Sequence, residues 1–148
     1  MSADGVRFDT LREDDLPEVL RFWRRIEGIG LDDIEGPEPL ARYLRRNPGM
    51  SVVVRAADGT LVGAALCGHD GRRGYLHHVG IDLFWRGRGL GKRLVEQCLE
   101  RLEAEGIARC HLFVFANNEG GLAFYEKLGW RRRRDLVVLS RDLSGHSP

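Results

Sequence analysis

Cysteine is scarce in this chain, with Cys67, Cys98 and Cys110 the whole supply and no CxxC pair among them. An odd, scattered set excludes a disulfide framework or a zinc cluster as the basis of the fold and fits reduced thiols in a cytoplasm. Lysine is scarcer still, two residues in a Lys plus Arg total of 23, a bias of composition that carries no mechanism. Long apolar runs are missing: Val52–Val54 and Leu61–Cys67 are the longest stretches, far short of the ~20 residues that cross a bilayer. Met1–Asp9 has neither an apolar core segment nor a basic leader, so no secretory signal is expected. Net charge is almost absent at +1, while 43% of residues are apolar and 30% charged. That balance excludes a disordered tail protein.

The 148 residues suit one domain, 1–148 with a core of about 6–143, and a chain of this size buries roughly 68–70% of its unfolded surface. The near-neutral total hides a split. Residues 1–40 carry 11 acidic and 5 basic side chains, residues 41–148 carry 11 acidic and 18 basic. A polyanionic small ligand on the C-terminal part accounts for that sign. A nucleic-acid stripe would too, but no helix-turn-helix, zinc-finger spacing or aromatic-basic alternation accompanies it.

Periodicity places the elements. Val6–Thr10 reads as a first strand. Asp14 and Asp15 precede a helix with Pro17 in its first turn, and Leu16, Val19, Leu20, Trp23 and Ile26 recur at helical spacing until Gly28-Ile29-Gly30. Pro37–Arg46 is a second short helix, stopped at Asn47-Pro48-Gly49. Ser51–Arg55 and Thr60–Cys67 flank Asp58-Gly59, a two-residue hairpin signal. Tyr75–Ile81 is the next strand, with Tyr75, His77, Val79 and Ile81 expected on one face and Leu76, His78 and Gly80 on the other. Leu90, Leu94, Val95, Cys98, Leu99 and Leu102 then form the stripe of a long helix that Gly106 ends. Cys110–Phe115 is a strand, Asn118 caps a helix to Leu128, and Leu136–Leu139 supplies a last strand. The order predicts a mixed α/β layer fold.

The most informative stretch is Arg86-Gly87-Arg88-Gly89-Leu90-Gly91, between a strand and the long helix. Glycines strip away the Cβ atoms that would keep a ligand from the backbone. The first N–H groups of the helix lack internal partners and carry partial positive charge, and Arg86, Arg88, Lys92 and Arg93 surround them. An anion, most simply a pyrophosphate, suits the spot. A nucleotide P-loop would need Ser or Thr where Arg93 stands, and a dinucleotide loop would need glycine at Lys92, so neither pattern applies. A glycine turn that only redirects the chain is the other reading of this stretch.

Arg86–Gly91 resembles the [R/Q]-x-x-G-x-G/A signature of the GNAT superfamily of acyl-CoA-dependent N-acetyltransferases. Asn118-Glu119-Gly120-Gly121-Leu122-Ala123-Phe124-Tyr125-Glu126-Lys127-Leu128-Gly129-Trp130 resembles the family's second signature, departing from it at Gly121 and Trp130. The likeness extends from Val6 to about Leu143, and ribosomal-protein-alanine acetyltransferases and small bacterial acetyltransferases are similar in pattern. It implies a central, mostly antiparallel sheet of six to seven strands with about four helices, split between its two central strands. It also implies a ternary-complex N-acetyltransferase with acetyl-CoA as co-substrate and no metal. By the same resemblance, Val79, Gly80 and Ile81 would pair with the pantetheine arm. Gly87 to Lys92 (Gly87, Arg88, Gly89, Leu90, Gly91, Lys92), with Arg86, would hold the pyrophosphate. Asn118 would bond the pantetheine side, and Tyr125 would protonate the departing thiolate.

The base is less legible. Some ribosomal-protein acetyltransferases carry Glu where Phe113 stands, so that base is absent. Arylalkylamine acetyltransferases use alternate strand histidines, and His77 falls at one such position with Tyr75 at the other. His77 is therefore the first candidate and His78 the second, since an imidazole titrates near neutrality; strand histidines satisfied by local hydrogen bonds are the other reading. Strict alternation lets only one of the two face an acceptor. Asp32, Asp33, Glu35 and Glu38 cluster where the acceptor should lie and suggest a cationic amine, small molecule or peptide N-terminus. Cys98 belongs to the helix stripe, which disfavours an acyl-cysteine route. Arg131–Arg134 reads as a solvated charge run, without nucleic acid or membrane as partner. An exposed last strand would permit pairing with a second copy. A module that binds CoA without turnover is the alternative function.

Overall fold

A computed structural model describes residues 5–26 and 36–143. It divides into two compact units, Met1–Phe115 and Ala116–Pro148, and each is described by itself.

In the first unit, β1 (Val6–Thr10), β2 (Val52–Ala56), β3 (Leu61–His69), β4 (Gly74–Ile81) and β5 (Cys110–Leu112) form one sheet in sequence order. The first three pairings are antiparallel and β4–β5 is parallel. Five strands stand among the described residues, not six to seven. The shortfall lies at the C-terminal end: β5 stops at Leu112 instead of Phe115, and Leu136–Leu139 forms no strand. The β2–β3 turn also differs from expectation. Ala56 N–H donates to Thr60 O and Gly59 N–H to Ala56 O, with Gly59 at φ 90°. The loop therefore has three residues, with glycine in the left-handed place such a loop requires.

Two helices cover one face of the sheet and one covers the other. α1 (Leu16–Arg24) has Pro17 in its first turn, and α2 (Pro37–Arg46) starts on proline behind Gly36, where a missing N–H costs nothing. Val19, Leu20, Phe22, Trp23, Leu40 and Leu44 pack with Val53, Ala64 and Leu66 into one buried cluster. α3 (Leu90–Ala104) closes the opposite face with Leu90, Leu94, Val95, Cys98 and Leu102, all buried. It ends as the glycine predicts: Gly106 sits at φ 83°, and Ile107 N–H returns to Leu102 O at 3.1 Å. The expected end of α1 at Gly28–Gly30 lies outside the described residues.

In the second unit, α4 (Glu119–Lys127) is capped by Asn118, whose Oδ1 accepts Gly121 N–H at 3.0 Å. Gly129 follows the helix at φ 98°. Half of the arginine run is engaged locally, Arg132 with Glu126 at 2.8 Å and Arg133 with Asp135 at 3.0 Å.

Candidate active site

β4 carries the site, and its two ends differ. Gly74, Tyr75 and Leu76 pair with Cys110, His111 and Leu112 of β5, and no described pairing joins the two strands beyond. From His77 to Ile81 the β5-facing edge of β4 carries no described strand pairing. Backbone groups along such an edge can accept an extended ligand as an added strand. Val79, Gly80 and Ile81 lie on this stretch.

A bulge interrupts β4 here. Leu66 pairs with His77 and Ala64 with Gly80, so three steps on β4 match two on β3. Among the described residues His78, at φ 52°, is the non-glycine residue in the left-handed region, a conformation costing on the order of 1 kcal/mol. The extra residue overturns the expected alternation. Register puts Gly80 on the face of His77, and Ile81 lies on the other, its Cδ1 only 2.8 Å from a Cβ built on Gly63. Both imidazoles turn toward the α1–α2 side: the His77 ring lies 6.2 Å from Tyr43 of α2, and the His78 ring lies 5.1 Å from Trp23 of α1. The two rings are 6.1 Å apart. The expectation that strict alternation sends the two imidazoles to opposite faces is corrected.

Aromatic rings surround His77 on several sides. Tyr75 lies parallel to it at 6.2 Å, Phe113 tilts toward it at 6.1 Å, and Tyr43 meets it edge-on. Burial lowers its pKa below the ordinary histidine value, which favours the neutral imidazole near pH 7. Tyr43 is held in turn from below. Its hydroxyl stands 2.6 Å from where a Gly68 Cβ would be, and the Asn47 carboxamide is as close. Asn47 donates to Tyr43 O and accepts from His69 N–H, which ties α2 to β3. Burial drives the Tyr43 phenol far above its usual pKa, leaving it a neutral wall.

The glycine loop follows Asp82, whose carboxylate accepts Phe84 N–H at 2.9 Å. Gly87 and Gly89 are left-handed at φ 80° and 76°, with open space where a Cβ would be. Gly89 is the N-cap of α3 and offers no side-chain cap. The first-turn N–H groups of Leu90, Gly91 and Lys92 thus point outward with no intrahelical acceptor. The cations near them are braced elsewhere. Arg86 Nε donates to Ile81 O at 3.1 Å, Arg88 lies 4.5 Å over the Trp85 ring, Lys92 is 4.0 Å from Glu96, and Arg93 reaches the Phe8 ring at 4.7 Å. The first-turn amides are thus the groups that the loop leaves facing outward, with Arg93 engaged by the Phe8 ring. Leu90 is buried, so only its amide is available.

Asn118 and Tyr125 belong to the second unit. The cap leaves Asn118 with its Nδ2 to offer, and a Cβ at Gly121 would stand 2.7 Å from that nitrogen; the departure from the second signature at this position makes room for the cap. Tyr125 packs between Phe124 at 5.0 Å and Trp130 at 5.8 Å. Asp32, Asp33 and Glu35 lie outside the described residues, and Glu38 already faces Arg45 at 3.6 Å. Burial pushes Cys110 up to about 12, and the Cys67 thiol beside Cys98, then burial, raises Cys98. Neither is an available thiolate. Among the described residues no group of three or more His, Cys, Asp or Glu could hold a metal, and no helix is long and apolar enough to cross a membrane.

Sequence reasoning put the acceptor against the segment from about Gly28 to Tyr43 and considered the Gly68–Gly74 loop beside it, but did not single out Trp23 or Asn47 near the β4 histidines. The alternations Tyr75-x-His77 and His111-x-Phe113 were the available signal.

Residues 16–130 match the model of a family described as Acetyltransferase (GNAT) family. An acetyltransferase of Sodalis glossinidius is 31% identical over 133 residues, covering 89% of this chain and 92% of that protein. The fold is similar to that of the ribosomal-protein-S18-alanine N-acetyltransferase of Escherichia coli, with a TM-score of 0.69, 23% identity, and 84% and 76% of the two chains covered. It is similar also to Arabidopsis thaliana Naa50 in complex with the bisubstrate analogue CoA-Ac-MVNAL, with a TM-score of 0.66, 22% identity, and 84% and 82% covered.

Proposed function

The chain belongs to the acetyltransferase (GNAT) family, and from that premise we propose that it moves the acetyl group of acetyl-CoA to a primary amine by direct attack within a ternary complex. The observation that carries this reading is the open edge of β4 from His77 to Ile81, continuous with the glycine loop and the uncapped start of α3. An extended arm along Val79–Ile81 and a diphosphate on the amides of Gly87–Lys92 are the two needs of a CoA thioester. A relative named an acetyltransferase and a fold neighbour solved with a CoA-linked bisubstrate analogue support it.

His77 accepts the proton of the attacking amine. A lysine-like amine must give up a proton against ~3 pKa units near pH 7.4, about 4 kcal/mol, whereas a peptide N-terminus needs under about 1 kcal/mol. A neutral, desolvated imidazole at hydrogen-bonding reach of the nitrogen lowers that barrier. The amine nitrogen bonds the thioester carbonyl carbon, the C–S bond breaks, and the thiolate takes a proton from Tyr125; His77 then releases its proton to solvent and the Tyr125 phenolate regains one from solvent. The products are the N-acetyl amine and CoA-SH. His78, one bulge away, is the second candidate for the proton. Holding amine and thioester together supplies much of the rate. The raised thiols of Cys98 and Cys110 weigh against a covalent acyl-enzyme.

The test is amine-dependent thiol release from acetyl-CoA over a panel of small amines and peptide N-termini, with calorimetry of CoA binding alongside. Release with at least one class is expected. Tight CoA binding with no release from any amine would make the chain a CoA-binding module and overturn the proposal.

A further inference from the structure

Tyr75 and His77 project from β4, and His111 and Phe113 follow the same alternation along β5 and its continuation. Tyr75 pairs with His111, and its ring lies 5.8 Å from that imidazole; Phe113 comes next along the chain and lies 6.1 Å from His77. The four rings make a two-by-two plate where the β4–β5 ladder ends. Tyr43 stands edge-on at one corner, fixed by Asn47 and by the bare backbone of Gly68. The plate is not sealed, since Phe113 is 62% exposed.

We infer that this plate selects an acceptor amine carrying a flat aromatic group two or three bonds from its nitrogen. The inference rests on the transferase reading, because it takes His77 as the place where the amine arrives. Ring faces and edges bind another ring in offset or edge-on contact, each worth roughly 2- to 10-fold in affinity. Glu38, the described carboxylate of the acceptor-side cluster, already faces Arg45 at 3.6 Å. A linear diamine or polyamine would leave the rings unused.

The test measures kcat/KM at saturating acetyl-CoA for 2-phenylethylamine, a peptide with N-terminal Phe, n-hexylamine and putrescine. At least one of the two aryl acceptors should exceed both linear amines by about tenfold or more, and which one does so tells a small-molecule source from a peptide. Phe113→Leu should raise KM for the aryl acceptor several-fold, leaving n-hexylamine nearly unchanged. Hexylamine or putrescine equal to the better aryl acceptor, or an aryl preference that survives Phe113→Leu, overturns the inference. A measurement without chemistry separates this from failure of the transferase reading. 2-Phenylethanol, which has no amine, should shift the ring proton resonances of Tyr75 and His77 in the wild type and less in Phe113→Leu. Absence of such shifts overturns the aromatic seat even if acetyl transfer occurs. Shifts without turnover of any amine keep the seat and remove the enzyme.

Discussion

On the face of β4 turned to α3, Leu76 is buried and Gly74 leaves only 2.7 Å between a would-be Cβ and Leu102. On the face turned to α1 and α2, Tyr75 and His77 meet rings at about 6 Å and stay half-buried. Among the described residues the first face has aliphatic contacts and buried thiols. The second has imidazoles, a buried Trp23 indole N–H without a hydrogen-bond partner among the described residues, and an open edge. Along one strand, aliphatic packing against α3 thus stands opposite a set of rings beside the α1–α2 core.

The sharpest way to break that comparison is His77→Ala. It should lower kcat by about 100- to 10,000-fold, with a thermal midpoint close to that of the wild type. A large fall in melting temperature with kcat retained would make His77 scaffold and erase the division. Next is Leu94→Ala on the α3 face, where a fully buried side chain is lost. It should cost about 2–5 kcal/mol in urea unfolding and leave the KM for both substrates unchanged in the folded protein. Gly68→Ala comes third, because it joins the two roles. Its methyl meets the Tyr43 hydroxyl and the Asn47 carboxamide at 2.6 Å, so about 1–3 kcal/mol of stability should be lost. The KM for the acceptor should rise while that for acetyl-CoA holds. A change confined to acetyl-CoA would show that Tyr43 serves the other substrate.

The smallest effect is a pH dependence. The folded protein lowers the His77 pKa by burial, so the unfolded chain binds the proton more readily. The stability contributed by neutral His77 is complete above the ordinary histidine pKa near 6.5 and is lost as pH falls through the folded value. His77→Asn should flatten that part of the stability curve, and the acid limb of kcat/KM in the wild type should lie below the usual histidine range. An acid limb above 6.5 would reverse the sign and point to a carboxylate near His77.

Much of the scaffold was legible in the sequence because it follows from local rules. Asp58-Gly59, Asn47-Pro48-Gly49, Gly106 and Asn118 mark the ends of elements by turn and cap chemistry, and each stands where such chemistry acts. The glycine loop was legible for the same reason: left-handed Gly87 and Gly89 are properties of their own residues. The faces of β4 were not legible past His77. A bulge is a mismatch between two strands, Ala64 to Leu66 against His77 to Gly80, and nothing in Tyr75–Ile81 alone states it. Tyr43 was hidden likewise, since its place against His77 depends on Asn47 and Gly68, four and 25 residues along the chain. The final strand expected from Leu136–Leu139 rested on apolar composition alone, and these residues stand exposed and unpaired.

The extra residue of the bulge at His78 works as a spacer. It sets the distance from His77 to the phosphate loop in whole-residue increments of about 3.3 Å, as large as the entire reach over which reacting atoms must be held. Exchanging one side chain for another there tunes chemistry, but inserting or deleting a residue between His77 and Gly80 would shift the register by a full notch. Chain length in this segment, more than residue identity, is what natural variation should hold constant.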